Sequence, residues 1–232
     1  MNAIDRKWLN LLRFDSFAGV LKHESRFVVQ EPYRSLTESV VTKVMDQLTL
    51  IVPANTILYR ARLNATSFED RQKEKIPFSI EDMGPPPPNL AKAGRINPEG
   101  IPYLYCAGDE DTAGAELRPW KGAHLTIAHI NIANDIPIAD LTIEPKDEVW
   151  DLFFDELSRS YSTQWPPELK LNYLVTQYFS EHFRAAGLRG VKYKSEFNSG
   201  GDNYALFYRE DYMIIETRTV ETIDVSFCFY AK

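Results

Sequence analysis

Residues 168–208 read ELKLNYLVTQYFSEHFRAAGLRGVKYKSEFNSGGDNYALFY. In the first half, Leu171, Leu174, Val175, Tyr178, Phe179 and His182 recur at helical spacing on one face. That pattern predicts an amphipathic helix over 168–186, which Gly187 stops. The period then changes from 3.6 to two. Gly190–Lys194 and Asn203–Tyr208 read as strands, joined by a turn rich in Asn, Ser and Gly.

Outward from this unit, helices and strands are interspersed. Downstream, Tyr212–Thr217 reads as a strand. Thr222–Phe229 reads as another, with Ile223, Val225, Phe227 and Phe229 alternating with smaller or polar residues. Upstream, the strand-forming runs are Thr56–Arg62, Tyr103–Cys106, His124–Ile132 and Ile136–Leu141. A helix is expected over Asp147–Ser158. A short one containing Glu116 is expected to be capped by Asp109 or Asp111 and to end near Pro119. Phe68–Ala93 reads as a long loop stiffened by Pro85–Pro88. Residues 1–50 read as helical, with Ser35 and Glu38 in the form of a capping box. The expected fold is α+β: a mixed β-sheet core with flanking helices over 51–232, and a helical N-terminal extension over 1–50.

The bulk numbers exclude several classes. With 232 residues, 44% of them hydrophobic, the chain buries a sizeable core. A net charge of -7 argues against nucleic acid as the main partner, since phosphate-binding surfaces are basic. Cys106 and Cys228 have no metal spacing and read as free buried thiols of a reducing, cytoplasmic setting. No apolar run is long enough to span a bilayer, and no apolar block follows Met1–Trp8 as a signal peptide requires.

The strong chemical motifs are missing: there is no P-loop, no Rossmann glycine fingerprint, no HExxH and no CxxC. His124 and His129 sit five apart in one strand, and His182 lies on an apolar helix face, so no metal site is expected. What remains is a series of short segments: Gly94-Arg95-Ile96-Asn97-Pro98, then Tyr103-Leu104-Tyr105, then Ala113-Gly114-Ala115-Glu116-Leu117. Tyr193-Lys194-Ser195 and Asn198-Ser199-Gly200-Gly201-Asp202-Asn203 complete it. Taken singly, each has an equally good plain reading. Glu116 fits a solvated helix residue, Arg95 a surface ion pair, Tyr105 or Tyr103 a core ring, and Ser195 an ordinary turn.

In register, these segments resemble the RES domain, named for an arginine, a glutamate and a serine. The match places those three on Arg95, Glu116 and Ser195, the family's active-site tyrosine on Tyr105, and its recurrent strand arginine on Arg60 in Tyr59-Arg60-Ala61-Arg62. The resemblance covers roughly 55–210. It implies a fold related to ADP-ribosyltransferases and a cleft for NAD as substrate, with no cofactor. It also implies cleavage of the nicotinamide–ribose bond by glycohydrolysis or phosphorolysis, and ADP-ribosyl transfer to protein in some members. Relatives are toxins held by an antitoxin protein, so an antitoxin partner is implied as well. A non-catalytic nucleotide-binding or interaction module is the alternative from another class.

The chemistry suits the residue types. Cleaving the bond passes through a cation-like ribose, which a carboxylate such as Glu116 stabilises. Arg95 or Arg60 suits the pyrophosphate, and the Tyr105 ring suits a base. Ser195 suits a hydrogen bond to the carboxamide or ribose, and Asn203 is expected among the NAD contacts. The leaving group departs as neutral nicotinamide, so no general acid is required.

Overall fold

The computed structural model describes residues 14–64, 76–143 and 151–226. Among them are five α-helices: α1 (Phe14–His23), α2 (Tyr33–Gln47), α3 (Glu110–Ala115), α4 (Asp151–Ser162) and α5 (Leu174–Ala185). Eight strands form one sheet: β1 (Thr49–Val52), β2 (Ile57–Leu63), β3 (Leu104–Ala107), β4 (His124–Ile132), β5 (Ile136–Asp140), β6 (Gly190–Lys194), β7 (Asp202–Leu206) and β8 (Tyr212–Glu221). Their spatial order is β1-β5-β6-β7-β3-β2-β4-β8. Only β5 and β6 run parallel; the other neighbours are antiparallel. The fold is α+β. The helical reading of 1–13, the 68–75 part of the long loop, the start of the 147–158 helix at 147–150 and the strand end at 227–229 lie outside the described residues.

Strand alternation divides the apolar residues between two cores. On β3, Leu104 and Cys106 join Ile136 and Ile138 of β5 and Leu206 of β7 in one cluster. The adjacent Tyr103, Ala139 and Ala205 join the other. That second cluster is where the helices pack. Phe17 and Leu21 of α1, Val40 and Val44 of α2, Leu157 of α4, and Phe179 and Phe183 of α5 all bury there. Phe17 lies 5.5 Å from Phe179 and 5.4 Å from Tyr178, centroid to centroid, so the N-terminal helices share the core of the sheet.

Several local expectations change, each for a visible reason. No capping box forms at Ser35. α2 starts at Tyr33, directly after Pro32, which places Ser35 inside the first turn. There it donates its N–H and hydroxyl to the Glu31 carboxylate, at 3.3 and 2.7 Å. The 168–186 helix begins as a 3-10 stretch, Pro167–Tyr173, and becomes α-helical only from Leu174. Pro166 brings the chain in extended, Pro167 opens the 3-10 turn, and the tighter turn rotates Leu171 out to 47% exposure, off the buried face. Gly187, at φ +97°, provides the expected stop. Downstream, β8 runs on to Glu221 and residues 222–226 form no strand. Its partner β4 begins at His124, opposite Glu221; among the described residues beyond that pair, only Thr222 still bonds across, donating to Ala123 O and accepting from the Gly122 N–H, both at 2.8 Å.

One irregularity positions everything that follows. β2 pairs with β4 along its whole length, from Ile57↔Asn131 to Leu63↔Leu125. With β3 on its other side it shares a single pair, Tyr59↔Ala107. The sheet is split there, and backbone groups facing the gap are left for side chains to satisfy.

Candidate functional site

A cleft of about 420 Å³ opens over this split. Arg60, Arg95, Tyr105, Glu116 and Asn203 line it, on β2, the loop before β3, β3, the end of α3, and β7. Ser195, just after β6, lies behind Glu116 and touches it. The six residues singled out from the sequence are thus brought to one place.

Glu116 is the centre of the arrangement. Asp109 caps α3 by accepting the Thr112 N–H at 2.7 Å, and the helix lasts six residues before Glu116 closes it as C-cap. The carboxylate keeps about a fifth of its side-chain surface open, 21%. Oε1 accepts from the Asn203 amide at 2.6 Å and the Ser195 hydroxyl at 2.8 Å. Oε2 accepts from the Gln164 amide at 3.1 Å and lies 4.0 Å from Nη2 of Arg95. All these contacts are donors, as a carboxylate anion demands. Ser195 is itself fixed: its Oγ accepts the N–H groups of Phe197 (3.2 Å) and Asn198 (3.1 Å), which orients its proton at Glu116. Gly201 keeps this turn close, since a Cβ there would stand 2.2 Å from Thr112 Oγ1.

The two arginines do different work. Arg95 is buried, and Nη1 donates to the carbonyls of Tyr161 (2.9 Å) and Ser162 (2.7 Å) in the last turn of α4. A cation there satisfies carbonyls that the helix leaves open and faces the negative end of its dipole. The phosphate grip expected of Arg95 therefore competes with a structural task. We expect Arg95→Ala to lower stability by about 2 kcal/mol, because two helix-end carbonyls lose their donor. In a thermal melt this is a fall of about 4–8 °C, and an unchanged melting temperature would refute the capping role.

Arg60 has no such commitment. Its Nη1 donates to Tyr105 O at 3.0 Å, using a carbonyl freed by the split between β2 and β3. Its Nε is buried without an acceptor, and among the described residues no carboxylate pairs with it. Burial holds the guanidinium below its ordinary pKa, the largest influence on it. Arg60 is half-buried and lines the cleft.

Tyr105 closes the loop that carries Arg95. Its hydroxyl donates to Asn97 Oδ1 at 2.8 Å and accepts the N–H groups of Ile96 (3.0 Å) and Asn97 (3.3 Å). Burial pushes the phenol up to about 12, so it stays neutral. Gly94 is required at the turn, because a Cβ would lie 2.4 Å from Asn97 Oδ1 and 2.8 Å from the Tyr105 hydroxyl. From α5, Gln177 donates to Gly94 O at 2.7 Å and the Thr176 hydroxyl donates to Arg95 O.

Sequence reading missed Gln164, Trp165, Lys170 and Tyr173, which form one wall of the cleft, and Tyr193, whose ring lies 5.5 Å from the Arg95 guanidinium. The Thr-Gln-Trp-Pro-Pro run has no periodicity to reveal it. Thr176 and Gln177 did leave a signal, as two polar residues on the buried side of α5.

Other titratable groups lie elsewhere. His129 sits between Glu110 (3.1 Å) and Glu216 (3.4 Å), and half-buried His182 packs on Tyr178, its pKa lowered by desolvation. Cys106 is a free, buried thiol at the cleft floor. Among the described residues, no cluster of His, Cys, Asp or Glu is arranged to hold a metal, and no helix is long and apolar enough to cross a membrane.

No curated protein matches the chain. Among solved structures, the fold is similar to a chain in one described as the crystal structure of the M. tuberculosis MbcT–MbcA toxin–antitoxin complex. The likeness has a TM-score of 0.46 and 13% identity, covering 80% of this chain and 93% of that one. A family model described as the RES domain matches residues 57–227, from the start of β2 to beyond β8 and across every residue of the cleft. The chain belongs to the RES-domain family.

Proposed function

We propose that this protein degrades NAD by breaking the bond between nicotinamide and ribose. The observation that carries the reading is the pairing of opposite charges in one cleft. Glu116 is a carboxylate fixed by three hydrogen bonds, and in the same cleft Arg60 is a guanidinium for which the described residues supply no carboxylate partner. A substrate that develops positive charge at a sugar and bears negative phosphates answers both. The cleft, about 420 Å³, falls within the range of small-molecule sites, about 300–1,000 Å³.

On this reading the C1′–N bond breaks heterolytically, and its electron pair stays with the pyridine nitrogen, so nicotinamide leaves neutral. The ribose is left with oxocarbenium character. Glu116, held rigid in advance, stabilises that charge without reorganising at the moment of reaction. Ser195, Asn203 and Gln164 act through Glu116 by fixing its two oxygens. Water or phosphate then adds to C1′, with water losing its proton to solvent. The family further supports a toxin role, restrained by an antitoxin protein partner.

The test is mass spectrometry of NAD incubated with the pure protein, with and without phosphate and a cell lysate. Free nicotinamide is expected in the absence of lysate. Formation of a phosphorylated ADP-ribose when phosphate is present would identify phosphorolysis. Nicotinamide release only with lysate, together with a mass increase on a lysate protein, would move the activity to ADP-ribosyl transfer. NAD left intact in all three would overturn the enzymatic reading.

A further inference from the structure

We propose that Trp165 is the ring on which the nicotinamide of NAD stacks. This rests on the NAD reading above and adds a substrate contact to it.

The argument starts from the neighbouring residue. Gln164 donates its amide to Glu116 Oε2 at 3.1 Å, which ties this segment to the carboxylate at the reacting end of the cleft. Trp165 follows directly and lines the same cleft. Its backbone is held on both sides by one phenol: the Tyr173 hydroxyl accepts the Trp165 N–H at 2.6 Å and donates to the Trp165 carbonyl at 3.2 Å. Pro166, at φ -61° and ψ 158°, and Pro167 stiffen the chain beyond it. The position is thus fixed before any ligand arrives.

The other aromatic rings of the cleft are already engaged. Tyr105 has its hydroxyl in three hydrogen bonds with the Arg95 loop. Tyr173 holds Trp165, Tyr193 is 3% exposed against Arg95, and Tyr59 packs edge-on to His129 at 5.2 Å. Trp165 keeps 38% of its surface open, the most of the five. A partly open indole on a fixed stretch of backbone, in the same cleft as a carboxylate, is what a planar cation uses, and tryptophan is the strongest cation–π partner among the side chains.

The charge argument also fixes which rate constant responds. The nicotinamide ring is cationic in intact NAD and becomes neutral as the bond breaks. An indole face therefore favours the bound substrate at least as much as the transition state, and its loss appears in KM while kcat holds. Glu116 has the opposite signature.

The experiment compares two stable ligands by calorimetry on the full chain: a carbocyclic NAD analogue whose nicotinamide bond cannot be hydrolysed, and ADP-ribose, which lacks nicotinamide. Trp165→Ala is expected to weaken the analogue by about tenfold or more and to leave ADP-ribose within about twofold, with Trp165→Phe recovering most of the loss. Steady-state kinetics of Trp165→Ala should show a matching rise in KM. Equal loss of both ligands, or no loss of either, would overturn the inference while leaving the NAD reading intact. Failure of the wild-type protein to bind the analogue would overturn both.

Discussion

Replacing Glu116 by glutamine is expected to slow nicotinamide release by about two orders of magnitude or more, as for other preorganised electrostatic groups, with little change in NAD affinity. The structure makes this exchange unusually clean. The carbonyl of a glutamine can face Asn203 and Ser195, whose donors now meet Oε1. Its NH2 then faces Gln164, whose own amide need only turn over to present oxygen in place of nitrogen. The hydrogen bonds survive and the charge alone is lost. Because the carboxylate lies at the end of a six-residue helix beside the cleft and outside both apolar clusters, folding stability should change by less than about 1 kcal/mol. A solvated surface glutamate would predict no effect on turnover. Nicotinamide release, binding of the carbocyclic analogue and a thermal melt, taken together, decide the matter. Near-normal turnover in the folded variant would remove Glu116 from the mechanism.

The residues explain how far the sequence could be read. The strand-forming runs of β4 and β6 and the apolar stripe of α5 are local signals written in the side chains; the two strands appear where expected, and the helix does so from Leu174 onward. What spacing does not carry is competition between neighbours. Ser35 looks like a cap until Pro32 starts the helix earlier, and Thr222–Phe229 looks like a strand until β4 ends. At the site, family register placed Arg95, Tyr105, Glu116 and Ser195 together, because those residues keep a recognisable order along the chain. It left their division of labour unread. That Arg95 holds the end of α4 while Arg60 stands alone depends on where Tyr161 and Ser162 lie in space, more than sixty residues downstream of Arg95 in sequence. Trp165 was unread for the same reason: its meaning comes from Gln164 reaching Glu116 across 48 residues.

The second large effect is expected at Arg60, and it has two opposite signs. Arg60→Met should weaken NAD by about ten- to hundredfold, the worth of a charge-assisted contact to phosphate in an enclosed site. The same change should raise stability. In the free protein Arg60 is half-buried: its guanidinium has one hydrogen bond, to Tyr105 O, and its buried Nε has no acceptor. A partly desolvated cation with no counter-ion and one buried donor without an acceptor costs more to keep than the single hydrogen bond returns, whereas an unbranched apolar side chain of similar length costs nothing to desolvate. Offsetting the lost bond to Tyr105 O against relief of the partly desolvated charge and its unpaired Nε leaves a gain of about 1 kcal/mol, or roughly 2–4 °C in melting temperature. A purely structural arginine predicts the reverse: stability would fall, and NAD binding would fall only in proportion to unfolded protein. The ligand pair used for Trp165 sharpens the distinction. The phosphates belong to ADP-ribose as much as to the carbocyclic analogue, so Arg60→Met should weaken both equally, whereas Trp165→Ala should weaken only the analogue. If Arg60→Met lowers the melting temperature, or leaves ADP-ribose binding untouched, the guanidinium is a strut of the split sheet, and the phosphate site lies elsewhere in the cleft.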